Sequence, residues 1–360
     1  MNLRFALIAH ALLLSLLQYP SSVQAAENDL LIPQNLLGLV HAPEVHAELR
    51  LSDEQQQQLE TLFGEIDGDW FRARVLAPEQ QIKAKAALEK RVLEWFQKQG
   101  TAEQQTRLKQ LELQSLGTRL LLRPEVMRDL QLDSSQQSQL VGLAKAADLA
   151  NLQLQQATFK SENTSALKTT VADAMAAEQK SPQTLLTPTQ QKKLSQLIGK
   201  PFDTAQLKRI YPMAPELVPT EDWINSPPLT LKQLRGKVVI LHYYAFQCHN
   251  CHANFEHYNA WHKRFSNDDV VVIGIQRPET SAEHDPAAVR AAAKERKMEY
   301  PILIDLESKN WDAWANTMWP TVYVIDQQGY LRHWWQGELN WQGATADKTI
   351  TDLVNSLIKE

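Results

Sequence analysis

Apolar residues from about 27 to 200 recur at helical spacing, as at Leu59, Leu62 and Phe63, against a background of Gln, Ala, Lys and Glu with little Gly. This predicts an all-helical region. Pro201, Pro212, Pro215 and Pro219 then interrupt the pattern, because proline lacks an N–H and has a fixed φ. They predict a linker over 201–218. Past it the pattern becomes strands alternating with helices. Val238 to Tyr244, Val270 to Ile275 and Tyr300 to Ile304 read as strands. Cys251 to Phe265, Pro286 to Met298 and Ala346 to Lys359 read as helices. Thr321 to Ile325 and Tyr330 to Trp335 flank Gln327-Gln328-Gly329, a hairpin signal. With a preceding segment at Trp223 to Leu231, this order predicts a central mixed sheet with helices on both faces over 219–360.

The helical region repeats itself. Pro43-Glu44-Val45 leads through Leu49 and Leu51 to Ser52, Gln55, Leu59 and Leu62. Pro124-Glu125-Val126 leads in the same spacing through Leu130 and Leu132 to Asp133, Gln136, Leu140 and Leu143. Thr101, Gln104, Leu108 and Leu111 match Thr187, Gln190, Leu194 and Leu197. Two units, about 43–117 and 124–199, form a duplicated helical domain over 27–200. The recurrent Ser/Thr/Asp-x-x-Gln has a local cause. Its first residue caps a helix N-terminus, and the Gln three positions later reaches back to complete a capping box.

Before this region stands a targeting pattern. Arg4 precedes an apolar run from Phe5 to Leu17, and Val23-Gln24-Ala25 offers small residues for cleavage. This is the form of a secretory signal peptide over 1–25, and no later stretch is long and apolar enough to span a bilayer. The expected location is periplasmic or otherwise extracytoplasmic, without stable membrane insertion of the mature chain. The 360 residues carry a formal net charge of −5, which gives no basic face for nucleic acid.

The chain has two Cys, and they lie together in Cys248-His249-Asn250-Cys251. Cysteines used as structural staples would be spread along an exported chain; a lone C-x-x-C points to redox chemistry, haem attachment or half a metal site. Its placement between a strand and a helix sets Cys248 at a helix N-terminus, where free N–H groups and the dipole favour a thiolate, the attacking species in disulfide exchange. Cys251, one turn inside, can then resolve the mixed disulfide. His249 adds a possible positive charge beside the nucleophile, or is simply an exposed loop residue. Pro320 in Met318-Trp319-Pro320-Thr321-Val322 stands at the start of a strand, where a cis-Pro can occur.

The stretch from about Trp223 to Glu360 resembles the thioredoxin superfamily. Within it the TlpA/ResA-like exported branch fits best, and there the C-terminal domain of DipZ-type proteins. The residues that carry this are Trp223-Ile224-Asn225-Ser226-Pro227-Pro228-Leu229-Thr230, Leu234-Arg235-Gly236-Lys237-Val238-Val239, the C-x-N-C motif, Val272-Ile273-Gly274-Ile275 and Trp319-Pro320. The resemblance implies a thiol–disulfide oxidoreductase, most of that branch being reductases. It implies Cys248 as nucleophile, Cys251 as resolving thiol, a reversible Cys248–Cys251 disulfide in place of any cofactor or metal, and Pro320 as the cis-Pro. Trp319, Thr321 and Asn250 are the expected substrate-binding residues. Partners would be protein thiols and disulfides, with a separate membrane or periplasmic electron donor.

Two positions depart from the branch. An acidic residue is usual six positions before the first Cys; here it is His242, either a proton acceptor, a thiolate-stabilising cation or a core histidine bonded to backbone. A Glu is common three positions after the second Cys; here it is Asn254. Glu279 lies on the loop at the C-terminal end of the Val272–Ile275 strand and reads either as a group near the site or, as a loop charge normally is, as a solvated one.

Leu51-Ser52-Asp53-Glu54-Gln55 and Leu186-Thr187-Pro188-Thr189-Gln190 resemble the L-T-x-x-Q motifs of Spy/CpxP-type helical proteins, which act as chaperones or stress sensors. The alternative function is accordingly a helical chaperone or scaffold with a thioredoxin-like docking module. Cys248 to His252 also spells C-x-x-C-H, the attachment site of a c-type cytochrome, and with His242 and His249 offers zinc ligands on paper. The strand leading into the motif and the following Trp-Pro strand favour the dithiol reading over both.

Overall fold

A computed structural model describes residues 31–160, 162–266 and 269–360. The signal segment at 1–25 lies outside the described residues. The N-terminal helices are α1 (Leu36–His41), α2 (Pro43–Glu48), α3 (Asp53–Ala73), α4 (Pro78–Gln99), α5 (Ala102–Ser115), α6 (Pro124–Leu130), α7 (Ser134–Phe159), α8 (Ser165–Leu185) and α9 (Pro188–Ile198). The C-terminal part runs β1 (Trp223–Ile224), β2 (Val238–Tyr244), α10 (His249–Arg264), β3 (Val270–Gln276), α11 (Pro286–Glu295), β4 (Ile302–Ile304), α12 (Lys309–Ala313), β5 (Thr321–Ile325), β6 (Leu331–Gln336) and α13 (Ala346–Leu357).

Packing divides the chain into two compact units. Residues 116–194 belong to one, and 34–115 with 195–360 to the other. The division falls near the boundary expected between the two helical copies, but the first copy packs with the sheet. The reason is a set of long-range contacts from α3. Phe71 meets Trp314 edge to face at 5.6 Å. Asp67 accepts from the Met213 N–H at 2.7 Å. Arg74 donates to the Trp314 carbonyl at 2.5 Å. The proline-rich segment 201–218 is likewise no free linker. Ala214 and Leu217 are buried, Ala214 N–H donates to the Gly329 carbonyl, and Met213 bridges Tyr330. Prolines stop the helix there without exempting the chain from packing.

The six-stranded sheet has the order β1-β4-β3-β2-β5-β6. β2 pairs β3 in parallel and β3 pairs β4 in parallel, whereas β5 runs antiparallel to β2 and β6 to β5. β2 is apolar or aromatic along most of its length and wholly buried, as a central strand covered on both faces must be. Alternation then divides its side chains. Val238, Ile240 and Tyr244 enter the core that α10 and α13 cover, and Val239, Leu241 and Tyr243 enter the core that α12 and Phe71 cover. The β5–β6 turn needs its glycine: Gly329 has φ +91°, and a Cβ there would fall 1.0 Å from Arg235 Nη1.

Each helical copy closes with one pattern of hydrogen bonds. Ser52 and Gln55 form a capping box on α3, and Asp133 and Gln136 form one on α7. Thr101 with Gln104, and Thr187 with Gln190, make the same reciprocal bonds at α5 and α9. The capping glutamines then pair across the copy. Gln55 and Gln104 exchange amide bonds of 2.9 and 3.1 Å, and Gln136 and Gln190 do so at 2.9 and 3.1 Å. One residue therefore caps its own helix and ties it to a second helix start.

Candidate active site

β2 ends at Tyr244, and four residues later Cys248 stands as the N-cap of α10 (φ −64°, ψ 116°). Both cysteines are free thiols; Cys248 is 8 % exposed and Cys251 0 %. The Cys251 thiol donates to the Cys248 sulfur, and the N–H groups of Cys251 and Asn250 also face it. Together these donors hold the Cys248 thiol below the ordinary thiol range, against burial and the negative charge of Glu279. Cys251 goes the other way. Burial first, then the bond to Cys248, push it far above that range. The outer sulfur, at Cys248, is thus acidic and the deeper one is held as a thiol.

The loop before Cys248 is fixed from two sides. His252 Nε2 lies 2.8 Å from the Phe246 carbonyl, with Arg296 Nη2 2.9 Å from the same ring nitrogen. On the other side stands Glu283, a fully buried carboxylate. It accepts from the Gln247 N–H at 2.8 Å, the Glu279 N–H at 2.7 Å and the Thr280 N–H at 2.9 Å. Glu283 therefore stitches the residue before the nucleophile to the loop that carries Glu279. Sequence alone does not single out Glu283, and for Glu279 it leaves both a solvated charge and a place near the site open. Glu279 is exposed, yet its charge reaches both thiols. The signal for Glu283 was present in Thr280-x-x-Glu283, itself a capping box.

His242 lies on β2 below the dithiol helix, stacked on Tyr258 with Tyr244 and Tyr300 beside it. It is fully buried, and neither ring nitrogen has a hydrogen-bond partner among the described residues. Burial lowers its pKa to about 3. Burial keeps the ring neutral and makes it a poor proton acceptor, so it serves neither as a thiolate-stabilising cation nor as a base, and the two unpartnered nitrogens leave no bond to backbone. Gly274 makes room for it on the neighbouring strand. A Cβ there would stand 3.1 Å from His242 Nε2 and 3.2 Å from the Tyr300 ring.

His249 is exposed, as is Asn250. The Trp319–Pro320 peptide bond is cis. Trp319 packs against the same core cluster as the two cysteines and meets Trp311 tilted by 34° at 4.4 Å, with Arg277 over its ring at 4.8 Å. Thr321 is buried and donates to the Met318 carbonyl at 2.8 Å, while Met318 is 41 % exposed. Asn254 does a structural job. It accepts from the Leu339 N–H at 2.9 Å and donates to the Gly337 carbonyl at 3.1 Å. His252, the histidine of C-x-x-C-H, is turned to the Phe246 carbonyl. Among the described residues no three His, Cys, Asp or Glu side chains converge on a point that could hold a metal ion.

Sheet order, the dithiol at a helix start and the cis-Pro ahead of β5 define a thioredoxin-like fold. The AhpC/TSA family profile matches residues 214–334. DipZ of Mycobacterium tuberculosis and of Mycobacterium bovis are each 34 % identical over 151 residues, 41 % of this chain and 21 % of theirs. The chain thus spans about a fifth of those proteins. The thiol–disulfide oxidoreductase YkuV of Bacillus subtilis is 30 % identical over 124 residues, 34 % of this chain and 82 % of YkuV. A solved thioredoxin-like protein in its oxidised form aligns over 41 % of this chain and 95 % of its own, with 26 % identity and a TM-score of 0.36. The chain belongs to the thioredoxin superfamily.

Proposed function

We propose that this protein exchanges dithiols and disulfides with protein partners outside the cytoplasm, in the reducing direction. The observation that carries the reading is the opposed acidity of the two thiols at the start of α10. The Cys248 thiolate attacks one sulfur of a client disulfide; that S–S bond breaks, a mixed disulfide forms and the first client thiolate leaves. Cys251 then loses its proton and attacks the Cys248 sulfur. The second client thiol leaves, and the protein keeps a Cys248–Cys251 disulfide. Two electrons and two protons pass to the client. A separate dithiol protein must return the couple to its reduced state, and no cofactor or metal enters.

The exposed Met318, the tilted Trp319–Trp311 pair and Asn250 form the surface offered to the client, with Pro320 and Thr321 beneath it. His249 at the helix start completes the candidate set; His242, buried against Tyr258 and resisting protonation, is no base for the exchange. The apolar run at Phe5 to Leu17 supports export, and no described helix is long and apolar enough to cross a membrane. We read the helical copies as a duplicated scaffold for docking partners. The matching glutamine pairs support duplication, and exposed Leu149, Leu152 and Met175 support docking.

Insulin reduction with dithiothreitol tests the reaction. Cys248→Ser abolishes it, and Cys251→Ser accumulates mixed disulfides that dithiothreitol releases. Full activity in Cys248→Ser sinks the proposal.

A further inference from the structure

A cavity of about 430 Å³ lies between the first helical copy and strand β6, within one compact unit. None of its lining residues belongs to the cluster around the dithiol and Pro320. Its walls include Trp70 and Phe71 from α3, and Tyr211 and Trp334, which meet edge to face at 5.1 Å. Two cations join them, Arg74 and Lys85, and no Asp or Glu lines the space.

The charges are unbalanced. Arg74 donates to the carbonyls of Phe71, Trp314 and Ala315 and to the Tyr323 hydroxyl, at 2.7, 2.5, 3.3 and 3.1 Å. Every one of these acceptors is neutral. Burial accordingly lowers the Arg74 pKa from its usual value. Lys85 is half-buried and has no ion-pair partner among the described residues. Cations withdrawn from water without a counter-charge are costly, and a bound anion recovers that cost. Concave spaces of this size, walled by rings and holding a few converging polar groups, are the usual form of small-molecule sites. Flat rings favour a flat partner, which can stack or meet them edge to face.

We propose that this cavity binds a small organic anion with a flat aromatic body, such as an aryl carboxylate. Its charge sits by Lys85 and Arg74, and its ring lies among Trp70, Tyr211 and Trp334. The site stands apart from the dithiol and does not depend on the redox reading.

The test is calorimetric titration of the full chain with 2-naphthoate, with the neutral 2-naphthamide and with the variant Lys85→Met, which keeps the alkyl stem and removes the charge. We expect one saturable site, binding of the amide weaker by at least about tenfold, and a similar loss for naphthoate in the variant. Trp334→Ala should weaken both ligands. The far-UV circular dichroism and urea midpoint of Lys85→Met should match the parent and serve as the check that the variant is folded. Naphthoate that shows no saturation up to about 1 mM overturns the proposal. So does naphthoate that binds no tighter than the amide, or equally well to Lys85→Met.

Discussion

His242 stacks on Tyr258 with ring centroids 3.7 Å apart and the planes 13° from parallel. The contact closes an aromatic box in which an imidazole has no hydrogen-bond partner among the described residues. Such a group is tolerated only while neutral. Its pKa of about 3 is depressed from an unfolded value near 6.5. Below pH 6.5 the unfolded state takes up a proton that the folded state refuses. Stability is therefore lost as pH falls from 6.5 towards 3, by on the order of 4 kcal/mol for this group. His242→Leu should flatten that part of the acid-unfolding curve, whatever it does to stability at neutral pH. Urea midpoints at pH 7, 5 and 4 measure it. Equal acid sensitivity in the variant and the parent would mean that this ring is protonated or solvated in the fold.

The two thiols give opposite signs in alkali. Cys248 has a lowered folded pKa, so its contribution to stability is present above the unfolded value of about 8.5 and fades as pH falls through the folded value. Cys251 has a raised folded pKa, so its contribution is complete below about 8.5 and is lost as pH rises further. Reduced Cys251→Ser, which lacks the second titration, should keep its stability above pH 9 where the reduced parent loses it. Iodoacetamide should alkylate one cysteine of the native reduced parent at pH 7, and peptide mapping should find it at Cys248. Alkylation of Cys251 at the same rate would contradict the assigned acidities.

Glu283 accepts three hydrogen bonds from backbone N–H groups, one of them from the residue before the nucleophile. Glu283→Gln keeps the shape but turns an N–H₂ towards at least one of those donors. We expect a destabilisation of about 1–3 kcal/mol, a shift in the pH profile of Cys248 alkylation and a fall in insulin reduction of about tenfold, corresponding to 1.4 kcal/mol. Glu283→Asp, one methylene short, should recover part of the stability and less of the rate. A variant that loses stability yet keeps the Cys248 pH profile shows that Glu283 holds the loop without setting the thiol.

What could be read from the sequence was local. Val238 to Tyr244 is long, apolar and β-branched, so β2 is plain, and the helix after it puts Cys248 at an N-terminus whatever the rest does. The capping boxes were legible for the same reason, since Ser52 and Gln55 are one turn apart. What escaped depends on pairs far apart in the chain. Gln55 shows its own cap but not Gln104, which lies on another helix. Glu279 and Glu283 are both acids on one loop, and only the Gln247 N–H, brought in by β2, makes one of them buried. Arg74 gave no sign that it would reach the Trp314 carbonyl, so the first helical copy seemed separable from the sheet. Charge and amide side chains carry no direction in sequence; packing supplies it.

The glutamine pair yields the sharpest separation of cap from tie. Gln104 uses Oε1 to accept from the Thr101 N–H, closing its own cap, and Nε2 to donate to Gln55 and to the Arg50 carbonyl at 3.1 and 3.3 Å. Gln104→Glu keeps the cap acceptor and places a carboxylate against the Gln55 and Arg50 oxygens. Gln104→Ala removes both functions. If capping were the whole role, Glu would be as stable as Gln, since an acid in the first helical turn also favours the dipole. If the tie matters, Glu at neutral pH loses about 1–3 kcal/mol, as much as Ala or more. The contact joins α3 and α5 inside the unit that also holds the sheet. The loss should therefore appear in urea unfolding followed by both tryptophan fluorescence and far-UV circular dichroism. A Glu variant as stable as the parent would reduce the pair to two independent caps.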